Sequence, residues 1–210
     1  MTRSRYGALV ALAFPLVALP PTAPAATVGA APSASDFPAG HYVLDPRHAS
    51  VIARVKHMGV SLYTVRFDTM DASFDYDPAR PEDTKLTAHV DPASLDVGAD
   101  YAKEFQKEFL LAASFPKATF TATRMQTTGD GAGTMTGDLT LMGVTKPVTF
   151  AVTLVGAGHE VLPLPLGRRA AGFEATTTFK RSDFGSNYLL NGGLVGDEVT
   201  LQIEAEFEKK

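Results

Sequence analysis

The sequence predicts an all-β protein in which antiparallel strands close into a barrel, with one short helix lying against the barrel or capping it. Three observations predict this fold. From Tyr42 onward the apolar residues recur at a period of two, which is the period of a strand. Clusters of Gly, Pro, Asn and Asp separate eight or nine such runs. One long run also changes the parity of its apolar residues, and the bulges that cause such changes let a sheet curl and close.

Each run has one apolar and one polar face, which is typical of antiparallel sheets that meet a core on one side and water on the other. In the last run, Leu201, Ile203 and Phe207 alternate with glutamine and glutamate residues. In an earlier run the apolar parity changes after Phe67, and this change predicts a β-bulge near Asp68–Thr69.

Residues 100–115 follow a helical period instead of the strand period. The pattern predicts a helix whose aromatic face packs on the barrel or closes one of its ends. Such an aromatic stripe is more often core packing than ligand contact, and both interpretations stay open here. The apolar face comprises Tyr101, Phe105, Phe109 and Ala112, and the polar face comprises Lys103, Glu104, Lys107 and Glu108.

The N-terminus has the three parts of a secretory signal peptide. Arg3 and Arg5 provide a positive start, residues 6–19 are apolar, and residues 23–25 supply an Ala-Pro-Ala cleavage site. The apolar stretch contains Pro15 and falls short of the ~20 residues that span a bilayer, so no stable membrane span is expected. The mature protein is then periplasmic or secreted. We expect a signal peptide over 1–25, a flexible lead-in over 26–40 and one folded domain over 41–210.

Composition excludes several classes of function. The chain has 210 residues, of which 45% are hydrophobic and 20% charged, so one domain can bury a core without metal or disulfide support. Its net charge of -4 gives no basic face for nucleic acid. It has no cysteine, which excludes thiol catalysis, cysteine-bound metals and a lipid anchor on cysteine.

Five short segments, in this order, resemble the YceI-like family of periplasmic or secreted proteins. They are YVLDPRH at 42–48, VKHMG at 55–59, FPKATF at 115–120, GDLTLMGVTKPV at 137–148, and GF at 172–173 followed by RSDFG at 181–185. The resemblance covers nearly all of the expected mature chain and implies an eight-stranded lipocalin-like barrel that binds polyisoprenoid or related amphiphiles. Residues 159–170, with two prolines and two arginines, depart from the family pattern.

A closed barrel of eight strands is just wide enough to be filled by side chains or to hold one ligand. Small inward alanines beside the aromatic residues favour a ligand, and the resemblance implies a long-chain isoprenoid or acyl lipid. Residues expected near a head group at the barrel mouth are His57, Arg181, Ser182 and Tyr188, although a structural role in the turn is preferred for the segment 181–185. Residues expected to line the interior are Val55, Phe67, Phe74, Phe105, Phe109, Phe120, Leu139, Leu141, Phe150, Phe173 and Phe179.

No catalytic, cofactor or metal site is expected. A Gly-x-Ser-x-Gly nucleophile turn and the His-Glu-x-x-His zinc spacing are both missing from the sequence. Two alternatives to a lipid carrier remain: a lipid-active enzyme that uses His48, His57 or Asp183, and an interaction module with a filled core. A homodimer is compatible with the sequence but not required by it.

Overall fold

Ten strand segments form one antiparallel sheet that closes on itself. The computed structural model describes residues 37–98, 100–129, 131–159 and 168–210. The strands pair in the order β10-β9-β8-β7-β6-β4-β3-β1-β2-β5, and β10 also pairs with β1. The strands are β1 Gly40–His57, β2 Ser61–Phe67, β3 Met70–Tyr76, β4 Lys85–Val90, β5 Leu95–Asp96, β6 Ala118–Gly129, β7 Ala132–Leu141, β8 Val144–His159, β9 Arg169–Lys180 and β10 Val195–Lys209.

The ten segments make a barrel of eight strands because two strands are each broken once. β1 pairs first with β3 and then with β2, so β2 and β3 are the halves of one bent strand. β5 and β4 border those two halves in the same way. The predicted eight-stranded antiparallel barrel is therefore confirmed.

The break between β2 and β3 lies at Asp68 and Thr69, where the change of apolar parity predicts a bulge. Both residues leave the ladder, and their backbone N–H groups donate to the Ser94 hydroxyl at 3.2 and 3.0 Å. Ser94 ends a short 3₁₀ turn, Pro92–Ser94, that interrupts the neighbouring strand at the same level. The bend thus runs across both strands and helps the sheet to close.

The barrel has two ends that differ in their loops. We call the end with loops 58–60, 97–117, 142–143 and 181–194 the mouth end, and the opposite end the far end. Because consecutive strands are antiparallel, every second connection returns to the same end. Two further 3₁₀ turns are Pro81–Asp83 at the far end and Arg181–Phe184 at the mouth end.

The helix predicted over 100–115 is shorter than expected. One α-helical turn, Ala102–Glu104, continues as a π-helical turn, Phe105–Phe109. Beyond it Leu111 has a φ of 48°, a left-handed conformation that ends a helix. Of the predicted apolar face, Phe105 and Phe109 point to the barrel, whereas Tyr101 precedes the helix and is 60% exposed. Among the described residues, no helical stretch has the length and hydropathy to cross a membrane.

Phe37, which lies within the predicted lead-in, is packed against the barrel. Its side chain is buried, and its ring stacks on Tyr76 with 3.9 Å between centroids. The Tyr42 hydroxyl donates to the Pro38 carbonyl at 2.8 Å and holds this segment against the far end. The predicted signal peptide and residues 26–36 lie outside the described residues.

Gly137 on β7 leaves room for an aromatic ring inside the barrel. A Cβ at this position would lie 2.5 Å from Cζ of Phe120 and 2.4 Å from the backbone oxygen of Thr121. Gly137→Ala is therefore expected to lower the free energy of unfolding by about 1–3 kcal/mol, as overpacking does. The matched control is Gly156→Ala in β8, where a Cβ would meet nothing within 4 Å. Urea denaturation of both variants checks this, and equal stabilities would contradict it.

Candidate functional site

Two adjoining apolar cavities occupy the barrel interior. The larger, of about 230 Å³, reaches the mouth end, where Phe109 and Val195 line it. The smaller, of about 150 Å³, reaches the far end, where Phe37 and Tyr76 line it. The interior is thus neither filled by its own side chains nor polar, which makes it a binding space for an apolar chain.

The two cavities meet at a waist in the middle of the barrel. Phe120 and Phe150 lie edge to face there, with 5.0 Å between their centroids. Three of the other four residues at the waist are alanines, which leave space beside the two rings. Six residues line both cavities and define this waist: Ala72, Ala88, Phe120, Phe150, Ile203 and Ala205.

The structure places all eleven residues predicted to line the interior around these cavities. Phe74 and Phe173 line the far cavity only, and Phe120 and Phe150 line both. Contact of these residues with a ligand stays a prediction. The remaining seven line the mouth cavity: Val55, Phe67, Phe105, Phe109, Leu139, Leu141 and Phe179.

The short helix lies across the mouth and is held by a chain of aromatic rings. Tyr63 of β2 stacks on Phe105 at 5.2 Å, and Phe105 stacks on Phe109 at 4.9 Å between centroids. Phe109 then meets the ring of Tyr188 edge to face at 5.1 Å. The chain connects β2, the helix and the loop before β10. The helix therefore caps the mouth, which is one of the two placements that the sequence left open, and its aromatic face also lines the cavity.

Polar bonds add to this attachment. The side-chain amide of Gln106 donates to the carbonyls of Ala93 and Leu95 at 2.8 and 3.1 Å. The Ser186 hydroxyl donates to the carbonyl of Phe109 at 2.7 Å. The π-helical turn has a wide, poorly packed backbone, and such turns are frequent at functional sites. These bonds and the chain of rings hold the cap at the mouth.

Arg181, predicted near a head group, is buried and bonded to backbone. Its guanidinium donates to the carbonyls of Ser186, Tyr188, Val195 and Gly196 at 2.8 to 3.0 Å. Burial lowers its pKa from the ordinary value, although Asp197 opposes that effect. This geometry supports the structural role that the sequence favoured: Arg181 organises the loop between β9 and β10.

The other three mouth residues differ in how accessible they are. The Ser182 hydroxyl and backbone N–H both donate to the Asp197 carboxylate, at 2.9 and 3.0 Å, so this serine fixes the turn. The Tyr188 hydroxyl donates to Glu104 at 3.3 Å, on an exposed part of the cap. His57 ends β1, half-buried, with its ring 6.1 Å from that of Tyr63. Of the four predicted mouth residues only Arg181 lines the mouth cavity, whereas Tyr188 and His57 lie at the same end outside its lining. Contact of any of them with a head group stays a prediction.

The side chains of the enzyme alternative do not come together. His48 and His57 lie on the same strand, nine residues apart, which corresponds to roughly 30 Å of extended chain. Asp183 is exposed in the turn after β9. The three residues do not form a nucleophile–base pair, because such a pair needs hydrogen-bond distance.

Within the described residues, Asp45, His48 and Glu206 place potential metal-ligand atoms within 4.8 Å of one another. Asp45 is buried in a wide bulge of β1, between Leu44 and Ala49. Both of its oxygens accept hydrogen bonds from the Arg47 side chain, at 3.0 and 2.7 Å, and His48 Nδ1 lies 3.1 Å from one of them. This carboxylate is already neutralised by a cation, so the cluster stabilises the bulge.

The Asp45 bonds make stability depend on pH. Hydrogen bonds from Arg47 hold the pKa of Asp45 far below its ordinary value, against the raising effect of burial. A lowered pKa in the folded state stabilises the protein above the unfolded-state pKa of about 3.9, and this stabilisation is lost as pH falls below that value.

We expect Asp45→Asn to lower the free energy of unfolding by about 1–3 kcal/mol at pH 7. The difference from wild type should shrink as pH falls below about 4, because the unfolded wild-type chain then binds a proton at Asp45 while the folded carboxylate stays ionised. Urea denaturation across that pH range measures it. Asp71→Asn, at an exposed carboxylate that also meets a histidine, is the control and should change little. A difference independent of pH would contradict the assignment.

Sequence reasoning missed two aromatic residues at the ends of the tunnel. Tyr63 begins the ring chain across the mouth, and Phe37 lines the far cavity. Phe37 could have been found because it is a large aromatic residue in a stretch of small residues. Tyr63 could have been found from the alternation of residues along β2.

Comparison with known proteins agrees with this architecture. The YceI-like domain model matches residues 42–207, which is the whole barrel apart from its first and last few residues. The chain belongs to the YceI-like family. A UPF0312 protein of Pseudomonas fluorescens is 38% identical over 183 residues, covering 83% of this chain and 89% of the relative. A UPF0312 protein of Vibrio vulnificus is 41% identical over 150 residues, covering 70% and 77%.

Three solved structures illustrate that the fold is shared. Burkholderia cenocepacia BcnA matches with a TM-score of 0.69 at 24% identity, covering 78% of this chain and 98% of that protein. The Campylobacter jejuni YceI protein matches with a TM-score of 0.60 at 28% identity, covering 74% and 90%. A polyisoprenoid-binding domain from Saccharophagus degradans matches with a TM-score of 0.56 at 14% identity, covering 80% and 98%.

Proposed function

We propose that this YceI-like protein binds and carries a long-chain isoprenoid or a similar amphiphilic lipid, without converting it chemically. The observation that carries the proposal is the pair of adjoining apolar cavities, which extend along the barrel from the cap to Phe37. Such a space accepts a long, flexible hydrocarbon chain and offers little to a polar substrate. The fold it shares with a polyisoprenoid-binding domain supports the same class of ligand.

The energetics of binding come from burial. Each methylene removed from water contributes about 0.8 kcal/mol, so a few isoprene units in the tunnel give strong binding without polar contacts. The head group stays at the mouth, near Tyr188 and His57. A carrier of this kind needs no catalytic group, and the scattered positions of His48, His57 and Asp183 are consistent with that. We place the protein in the periplasm or outside the cell, on the basis of its predicted signal peptide.

Native mass spectrometry of the mature protein, purified from its own host, tests the proposal. Extraction of the same sample with organic solvent releases any bound lipid for identification. We expect a bound isoprenoid or acyl molecule in about equimolar amount, whose mass does not change on incubation with the protein. An altered mass would favour the lipid-active enzyme. Protein that is empty and that also fails to take up added polyprenyl lipid would favour the interaction module. The same spectra show whether two copies form the predicted optional homodimer.

A further inference from the structure

Exposed apolar side chains concentrate at the mouth end of the barrel. Eight large apolar residues of the described chain are exposed, and only Val155 lies away from this end. On the β1–β2 hairpin the exposed fractions reach 84% for Val60 and 62% for Leu62. Scattered exposed apolar residues are ordinary, but seven around one opening are not scattered. The seven are Met58, Val60, Leu62, Tyr101, Leu111, Leu189 and Leu194.

The backbone at this end has a left-handed conformation at four apolar residues, three of which are exposed. Four non-glycine residues of the described chain have a positive φ, between 48° and 56°. Each of the four loops at the mouth end contains one of them, and all four are apolar. Asparagine, aspartate and glycine adopt this conformation at lower cost, so leucine and methionine there call for another reason. The four are Met58, Leu111, Met142 and Leu189.

The tips of these loops carry no charge. Segments 58–62, 110–116, 142–145 and 184–194 contain no Asp, Glu, Lys or Arg. Charged residues of both signs flank these segments, as in the Lys107–Glu108 ion pair of the cap at 2.7 Å. The far end differs, because its loop at 77–83 holds Asp, Arg and Glu side chains.

Two of the loops join into one apolar rim. The Met58 backbone N–H donates to the Leu194 carbonyl at 2.8 Å, and the Val195 N–H donates to the Leu189 carbonyl at 3.1 Å. Met58, Leu189 and Leu194 therefore lie on adjoining backbone beside Val195, which lines the mouth cavity. The rim is continuous with the opening through which a lipid tail would enter.

We propose that the mouth end docks on a lipid bilayer, with the apolar loop tips inserted at the boundary between head groups and acyl chains. The charge pattern fits this partner: uncharged tips match the acyl boundary, and charges of both signs flanking them match zwitterionic head groups. A protein partner or second copy would favour one flat face, whereas these residues stand on separate loops around an opening. Docking would serve to collect or deliver a lipid tail, and this purpose rests on the proposed function.

Flotation with phosphatidylcholine vesicles tests docking directly. The full mature protein should float with the vesicles, and binding should persist as salt rises because it does not depend on net charge. Val60→Asp combined with Leu194→Asp should weaken the association by at least about tenfold. Val155→Asp is the matched control, since Val155 is 67% exposed but lies on the wall of β8, and it should float like wild type. Equal flotation of all three proteins, or no flotation of wild type, would overturn the proposal.

A second double variant separates docking from folding. Asparagine tolerates the left-handed conformation, so Met58→Asn with Leu189→Asn should keep or raise the melting temperature. The same variant should lose vesicle binding. Loss of stability instead would show that the two side chains serve packing. Sedimentation without vesicles shows whether the wild-type protein forms a dimer. A dimer that these variants dissociate, together with a wild-type protein that does not float, would also overturn docking.

Uptake of a polyprenyl lipid from detergent separates this inference from the proposed function. The tip variants should take up lipid from detergent as wild type does, yet collect it from vesicles more slowly. If wild type floats but takes up no lipid from detergent, the carrier function fails and docking stands. If wild type takes up lipid but does not float, docking fails and the carrier stands.

Discussion

Replacing Arg181 with leucine is expected to lower the free energy of unfolding by about 3–5 kcal/mol, enough to unfold many single domains at 37 °C. The substitution removes a buried cation whose N–H groups bond to four backbone carbonyls, all in the loop and strand start at 186–196. Those carbonyls lie inside the fold, so the variant leaves them without donors. It also removes the guanidinium that lies 5.5 Å from the centre of the Phe109 ring.

Lysine should not restore the loss. A guanidinium presents five N–H donors in a planar fork, whereas an ammonium has three donors at a single point and cannot reach carbonyls on both sides of the loop. We therefore expect Arg181→Lys to recover less than half of the lost stability. Arg124→Leu, at an exposed arginine of β6, is the control and should stay close to wild type.

The alternative role of Arg181 is recognition of an anionic head group, and the same variants distinguish the two. Urea denaturation measures stability, and lipid uptake from detergent at a temperature where each variant is folded measures binding. A structural arginine gives a large loss of stability with the affinity of the remaining folded protein little changed. Full stability together with a large loss of affinity would contradict the structural assignment.

The barrel could be predicted from the sequence because its strands alternate cleanly. One face of each strand meets an apolar interior and the other meets water, so period and parity report the same geometry. Even the bend at Asp68–Thr69 left a signal, since a residue inserted into a strand reverses which side chains point inward. The same parity predicts nine of the residues that line the cavities, and the helical period of residues 100–115 predicts two more, Phe105 and Phe109.

The sequence could not show how the ends of the tunnel are closed. The cap ends after Phe109 because the chain turns left-handed at Leu111, and a helical period does not register one residue's φ. Arg181 was a head-group candidate because its four hydrogen-bond partners are backbone carbonyls. Every residue has a backbone carbonyl, so the sequence does not show which of them an arginine binds. Whether alternating apolar residues fill a barrel or leave a cavity depends on side-chain volumes summed across strands, as at the waist around Ala88.

Ala88→Phe, at the waist of the tunnel, should lower lipid affinity by on the order of 100-fold, which is the second large effect that we expect. Ala88 lines both cavities and lies opposite Ala72 and Phe120 in the sheet register. A ring there blocks passage between the cavities. Losing room for three or four methylenes costs about 3 kcal/mol, which corresponds to that factor.

The stability of this variant decides between a carrier and a filled module. If the space is a real tunnel, the new ring enters a void, and the free energy of unfolding should stay within about 1.5 kcal/mol of wild type or rise. If the core is already filled, the ring has no place and the variant should be strongly destabilised. Ala151→Phe on the exposed face of β8 adds the same ring outside the barrel, and its affinity should match wild type. A stable Ala88→Phe protein with unchanged lipid uptake would show that the tail does not pass the waist, and the ligand would then occupy the mouth cavity alone.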